Sequence, residues 1–123
     1  MIVNLTQHAA TKEQLDAGVV ELSQEQKKGL AALLTFTSCP TKKEVSERAI
    51  AIAAVAAEFV GNDFNSSAMI GGAPFLMSAL EKALLGQGIT AVYAFSERVS
   101  VEEHRDGAVV KTNVFRHVGF VEA

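Results

Sequence analysis

The chain has 123 residues, 49% of them hydrophobic and 20% charged, which suits one compact folded domain and excludes a disordered or low-complexity chain. Lys and Arg total 11 against 14 Asp and Glu, a formal net charge of −3. This balance argues against non-specific binding to long DNA or RNA on a basic face, but not against a small anionic ligand held by a few local groups.

Ile2-Val3-Asn4-Leu5-Thr6 reads as a short β-strand that enters a polar corner at Gln7-His8. Thr11 and Gln14 have capping-box spacing for a short helical turn, which Gly18 closes. Ser23 and Gln26 repeat that spacing, and Leu30, Leu33 and Leu34 then give an apolar face to a helix over residues 24–36. Residues 35–40 break the chain. They include Cys39, the single cysteine, so an intrachain disulfide and a paired-cysteine metal template are excluded.

Pro40, Thr41 and Glu44 open a further helix over residues 42–60, in which Val45, Ile52, Val55, Ala56 and Phe59 recur at helical spacing. Its second half is nearly all Ala, Ile and Val, which suits close packing against a sheet or a neighbouring chain. The apolar run from Ala49 to Ala57 is far shorter than the roughly 20 residues a membrane helix needs. The opening residues also lack the pattern of a signal peptide, so a cytoplasmic protein with no membrane partner is expected.

Ala68-Met69-Ile70 is a minimal buried strand that stops at Gly71-Gly72-Ala73. Pro74 suits the first turn of a helix running through Leu76, Leu80 and Leu84 to Gly86. Thr90 to Phe95 is a strand that resumes over Val99 to Glu103, Asp106-Gly107 is a hairpin turn, and a last strand runs from Ala108 to Val121. The order predicts one α/β domain over residues 1–123. It is a small Rossmann-like fold, with a mostly parallel sheet flanked by helices and a C-terminal β-hairpin.

In such sheets ligands bind beyond the carboxyl ends of the strands. That rule selects Thr6, Gln7 and His8 after the first strand, Gly71, Gly72 and Ala73 after the second, and Ser96, Glu97 and Arg98 after the third. Backbone amides at a helix start, hydroxyls, an imidazole and a guanidinium are the groups a phosphate site needs. Each also has a structural reading: a tight strand-to-helix turn for Gly71-Gly72, a surface histidine for His8, a solvated strand charge for Arg98. His117 shares a strand face with Phe115 and reads equally as a half-buried histidine. His104 and the carboxylates Glu102, Glu103 and Asp106 read as an exposed rim, and no ligand template for a metal is present.

Three segments together resemble a known family. His8-Ala9-Ala10-Thr11 with Gln14 looks like the His-x-x-Thr opening of small CRISPR-associated proteins of the Csx type. Val92-Tyr93-Ala94-Phe95-Ser96-Glu97-Arg98 is similar to their third strand, and Val114-Phe115-Arg116-His117-Val118-Gly119-Phe120 to their closing strand. The chain departs from the pattern at Phe95-Ser96, where two threonines are expected, and lacks basic residues near Gly119 and Val121.

The resemblance implies a CARF-like fold and a role in type III CRISPR signalling. It implies binding of a cyclic oligoadenylate, and its cleavage without a metal or other cofactor by a ring nuclease. His8 would act as acid or base, Arg98 and the Gly71-Gly72 amides would stabilise charge, and Thr6 and Ser96 would orient phosphate. Gln7, Ala73 and His117 complete the expected ligand-binding set. A two-fold ligand fits a homodimer. Two other classes remain open: a non-catalytic nucleotide-sensing or protein-interaction module, and a hydrolase or transferase acting on another phosphorylated metabolite.

Overall fold

Three helices begin where a hydroxyl caps the first turn: the Thr11, Ser23 and Thr41 side chains accept from the amides of Gln14, Gln26 and Glu44. These caps answer backbone donors that have no partner within a helix. The computed structural model, which describes residues 1–123, has the order β1 (Ile2–Asn4), α1 (Lys12–Asp16), β2 (Val19–Val20), α2 (Gln24–Leu34), α3 (Lys42–Val60), β3 (Ser67–Met69), α4 (Pro74–Gly86), β4 (Thr90–Arg105), β5 (Ala108–Glu122).

The fold is mixed α/β. One five-stranded sheet has the order β2-β1-β3-β4-β5. β1 pairs in parallel with β2 and β3, β3 pairs in parallel with β4, and β5 closes the sheet antiparallel to β4. The expected elements are present, with shifted limits: α2 ends at Leu34 and β3 starts one residue early. β2 has no counterpart in the sequence reading, because two valines are too short a run to carry a period.

One sheet face carries the main core. Val3, Leu5, Ala68, Ile70 and Ala91 meet leucines of α2 and α4 and the Ala49, Ile52, Ala53 and Ala56 stripe of α3. The small side chains of that stripe allow the close packing expected of this helix. The opposite face has only a small cluster of Val19, Met69 and Val92, with Ile2, Ala10 and Phe120 against it. α1 buries no residue, so helices cover the sheet chiefly on one side. No helix is long and apolar enough to cross a membrane.

β4 departs most from expectation. It runs without interruption for 16 residues, because β5 stays paired with it from Val92↔Glu122 to Arg105↔Ala108. A bulge between Phe95 and Ser96 leaves Val118 of β5 without an opposite residue. Past the bulge the two strands form a ribbon beyond the sheet. It turns at Asp106 and Gly107, whose φ values of 50° and 77° are those of a type I′ hairpin turn.

Candidate functional site

A buried asparagine organises the carboxyl end of β1. Asn4 is 5% exposed. Its Oδ1 accepts from the Thr6 amide at 2.9 Å and the Thr6 hydroxyl at 2.7 Å. Its Nδ2 donates to the His8 carbonyl at 2.8 Å and to Glu21 Oε1 at 2.6 Å. All four hydrogen-bonding positions of the amide are therefore used, as burial requires. The loop is held as a fixed turn on which the Gln7 and His8 side chains are exposed.

Glu21 in turn accepts from Lys27 Nζ of α2 at 2.9 Å. Partial burial acts to raise its pKa, but the Asn4 amide, the Lys27 ammonium and a backbone bond from Ala10 outweigh it and hold the carboxyl below its ordinary range.

β3 ends beside this turn. Leu5 N donates to Met69 O and Ile70 N to Val92 O, both at 2.9 Å, so the parallel pairing continues one residue past each strand. Gly72 then takes φ +139°, a conformation that excludes other L residues at low cost. Ala73 is the N-cap of α4 and Pro74 its first residue; unlike the other three helices, α4 has no side-chain cap.

Two clefts open here. One, of about 140 Å³, has Thr6, Gln7 and His8 on one wall and Gly71, Gly72 and Ala73 on the other, over Leu34. The second, of about 230 Å³, shares the turn of residues 6–8 and extends along α2 to Asn4, Glu21 and Lys27. The clefts lie where the chain leaves β1 toward β2 and leaves β3 toward β4, in opposite directions across the sheet. In open α/β sheets this reversal opens the crevice in which ligands bind.

The first two groups of expected residues thus come together, and the third does not join them. Ser96 pairs with His117 and Arg98 with Phe115 on the ribbon, and none of the four lines either cleft. The cause is the continuation of β4: Ser96 and Arg98 are strand residues rather than a loop at the sheet edge. Arg98 lies 5.7 Å from the centroid of the Phe115 ring, and Glu97 is ion-paired with Arg116.

His117 is half-buried, with its ring 4.8 Å from that of Phe120, its amide donating to Glu13 Oε2 at 3.3 Å and its Nδ1 buried without a partner. His104 is exposed near the hairpin turn. No three His, Cys, Asp or Glu side chains converge at metal-binding distance.

Sequence reasoning missed Asn4, Glu21 and Lys27. The one available signal was an asparagine at the carboxyl end of an otherwise apolar strand. Chemically, the smaller cleft presents the backbone of Gly71, Gly72 and Ala73, a carboxamide and an imidazole around a space that suits an oxyanion. No curated protein and no solved structure matches the chain. A family model matches residues 1–121, and the chain belongs to that family, described as the Uncharacterized protein MJ1673 family.

Proposed function

We propose that this protein binds a cyclic oligoadenylate through its phosphates at the β1/β3 crevice, and cleaves it. One observation carries the reading: Thr6, Gln7 and His8 face Gly71, Gly72 and Ala73 across a single cleft at the point where the winding of the sheet reverses. The strand order, with its first four strands parallel, supports a small Rossmann-like fold of the CARF-like kind. The Csx-type resemblance assigns such a protein to type III CRISPR signalling.

In the cleavage step a ribose 2′-oxygen forms a bond to the adjacent phosphorus and the bond from phosphorus to the 5′-oxygen breaks. The products are a 2′,3′-cyclic phosphate and a 5′-hydroxyl. His8, the one imidazole in the clefts, takes the 2′-hydroxyl proton, and the leaving 5′-oxygen takes a proton from water. Such proton transfer typically contributes about 10²–10⁴-fold. The amides of Gly71, Gly72 and Ala73 stabilise the phosphorane charge, while Thr6, whose hydroxyl proton is held by Asn4, shapes the facing wall.

The partner of a two-fold ligand is a second copy of this chain. The ribbon supports that assembly. On one face it carries Val99, Val101, Val110 and Val114, bounded by the neutralised pairs Glu97–Arg116 and Glu103–Arg105. A two-fold axis through the valines sets the Glu–Arg pair at one end of each ribbon against that at the other end of its mate. An isolated hairpin with an apolar face gains most from such cover.

A second reading is favoured by the position of Arg98 and Ser96 outside the clefts. Without a guanidinium on the phosphate, the site suits sensing rather than turnover.

Incubation of the purified protein with cyclic tetra-adenylate in EDTA, with a parallel thermal-shift titration, separates these readings. Linear products ending in 2′,3′-cyclic phosphate support cleavage. A thermal shift without products supports the sensor. Neither response removes both.

A further inference from the structure

The phosphate cleft, at about 140 Å³, holds an oxyanion but not a whole nucleotide, so the base of any nucleotide anchored there must lie elsewhere. On the α2 side the polar groups of the neighbouring cleft are already engaged, Asn4 and Lys27 both donating to Glu21. On the other side a cavity of about 610 Å³ opens beside the α2–α3 corner, lined chiefly by Phe36, Cys39, Val45 and Phe75.

The walls of this cavity and of the cleft are close along the chain at two places. Leu34 of the cleft is two residues from Phe36 of the cavity, and Gln7 Nε2 donates at 3.4 Å to the hydroxyl of Thr35 between them. Ala73 of the cleft is likewise two residues from Phe75. Two residues span at most about 7 Å of chain, so these walls stand within the reach of one nucleotide.

The aromatic walls are built. Arg48 lies over the Phe36 ring at 4.2 Å while donating to the carbonyls of Leu33, near the end of α2, and of its C-cap Thr35, and pairing with Glu44 at 3.0 Å. The Phe75 ring meets that of Phe36 edge to face, at 5.0 Å and 73°. Phe75 itself is 52% exposed at the second residue of α4, so the part of its ring beyond the Phe36 contact is open to solvent. Lys42 stands at the rim and makes no ion pair.

We propose that the Phe36–Phe75 cavity is the base subsite of this protein, taking a purine that stacks on Phe75 while its phosphate occupies the cleft beneath Gly71-Gly72. The inference rests on the nucleotide reading given above and adds the part of the ligand that the cleft leaves unaccounted for. Stacking on an aromatic side chain holds a base by its π-face, and removing that side chain typically weakens binding by about tenfold or more.

Cys39 is exposed in the wall of this cavity and is the single cysteine, so its reaction with 5,5′-dithiobis(2-nitrobenzoate) reports occupancy of the subsite without reference to turnover. The rate is measured with cyclic tetra-adenylate, with adenosine and with inorganic pyrophosphate, on the native chain and on Phe75→Ala. The subsite predicts that cyclic tetra-adenylate and millimolar adenosine slow the reaction and that pyrophosphate does not. It also predicts that Phe75→Ala weakens cyclic tetra-adenylate about tenfold or more while leaving the melting-temperature shift given by pyrophosphate unchanged.

If cyclic tetra-adenylate raises the melting temperature but neither protects Cys39 nor distinguishes Phe75→Ala, the subsite is wrong and the function stands. If cyclic tetra-adenylate does not bind but adenosine protects Cys39, the oligoadenylate function is wrong and the subsite stands. If neither ligand protects the thiol or shifts the melting temperature, both are wrong. Phe75→Leu, which keeps apolar bulk without a π-face, gives the same loss as Phe75→Ala if stacking is the cause, and guards against an alanine variant that folds poorly.

Discussion

Asn4 donates to Glu21 across 2.6 Å, joining the carboxyl end of β1 to the residue that follows β2. The same amide fixes Thr6 and His8, so one buried side chain sets the wall of both clefts. Asn4→Ala removes four hydrogen bonds and leaves Glu21 without its closest donor. A loss of about 2–4 kcal/mol is expected in urea denaturation, with the midpoint lowered and the slope unchanged.

Glu21 also predicts an acid response. Its folded pKa lies below the ordinary 4.5, so its contribution to stability is present above that value and is lost as pH falls through the folded one. Glu21→Gln is therefore expected to be less stable than the native chain at pH 7 and to show a shallower loss below about pH 4.5. Denaturation midpoints measured from pH 7 to pH 3 test this, and parallel curves for the two proteins would rule it out.

The two adjacent glycines are expected to respond differently. At Gly72 the φ of +139° strains any side chain, so Gly72→Ala should cost about 1–3 kcal/mol of stability. At Gly71 a Cβ would sit 3.6 Å from Thr6 Cγ2, an ordinary contact, so Gly71→Ala should fold normally. It narrows the cleft, however, and should weaken ligand binding. Paired thermal melts and titrations separate the two effects.

His8→Ala should reduce turnover of cyclic tetra-adenylate by about 10²–10⁴-fold while changing its affinity little. Arg98→Ala, on the ribbon and outside both clefts, should leave affinity within about threefold of native, since a residue that lines no part of the site has no direct contact to lose. A large loss of affinity in Arg98→Ala would move the site onto the ribbon.

Val101→Glu introduces a charge into the apolar face of the ribbon. Val101 is 37% exposed in the single chain, so the monomer should lose no more than about 0.5 kcal/mol. The expected outcome is a shift from dimer to monomer in light scattering at micromolar concentration. A native chain that is already monomeric there excludes the ribbon as the interface.

The sequence carried the elements whose signals are local. Thr11, Ser23 and Thr41 marked three helix starts, Pro74 marked a fourth, and Asp106-Gly107 marked the hairpin turn, because caps and turns depend on residues a few positions apart. It also brought Thr6, Gln7 and His8 together with Gly71, Gly72 and Ala73, since strand ends in an α/β order predict a shared edge. Ser96 and Arg98 went astray through one long-range fact: β4 does not end at Phe95, because β5 returns from far along the chain to pair with it.

By itself, then, the sequence determined a small α/β chain of net charge −3, with one cysteine, no basic stripe, a polar turn after its first short strand and a glycine turn before the Pro74 helix. Those properties follow from residue counts and short spacings, and they limit a phosphate-bearing partner to something compact. Tertiary structure decided which of the polar groups meet. Strand order set β1 beside β3, pairing with β5 carried Ser96 and Arg98 away on the ribbon, and burial made Asn4 a fixed support rather than a surface amide. Each of these depends on contacts between residues far apart in the chain, which no local pattern encodes.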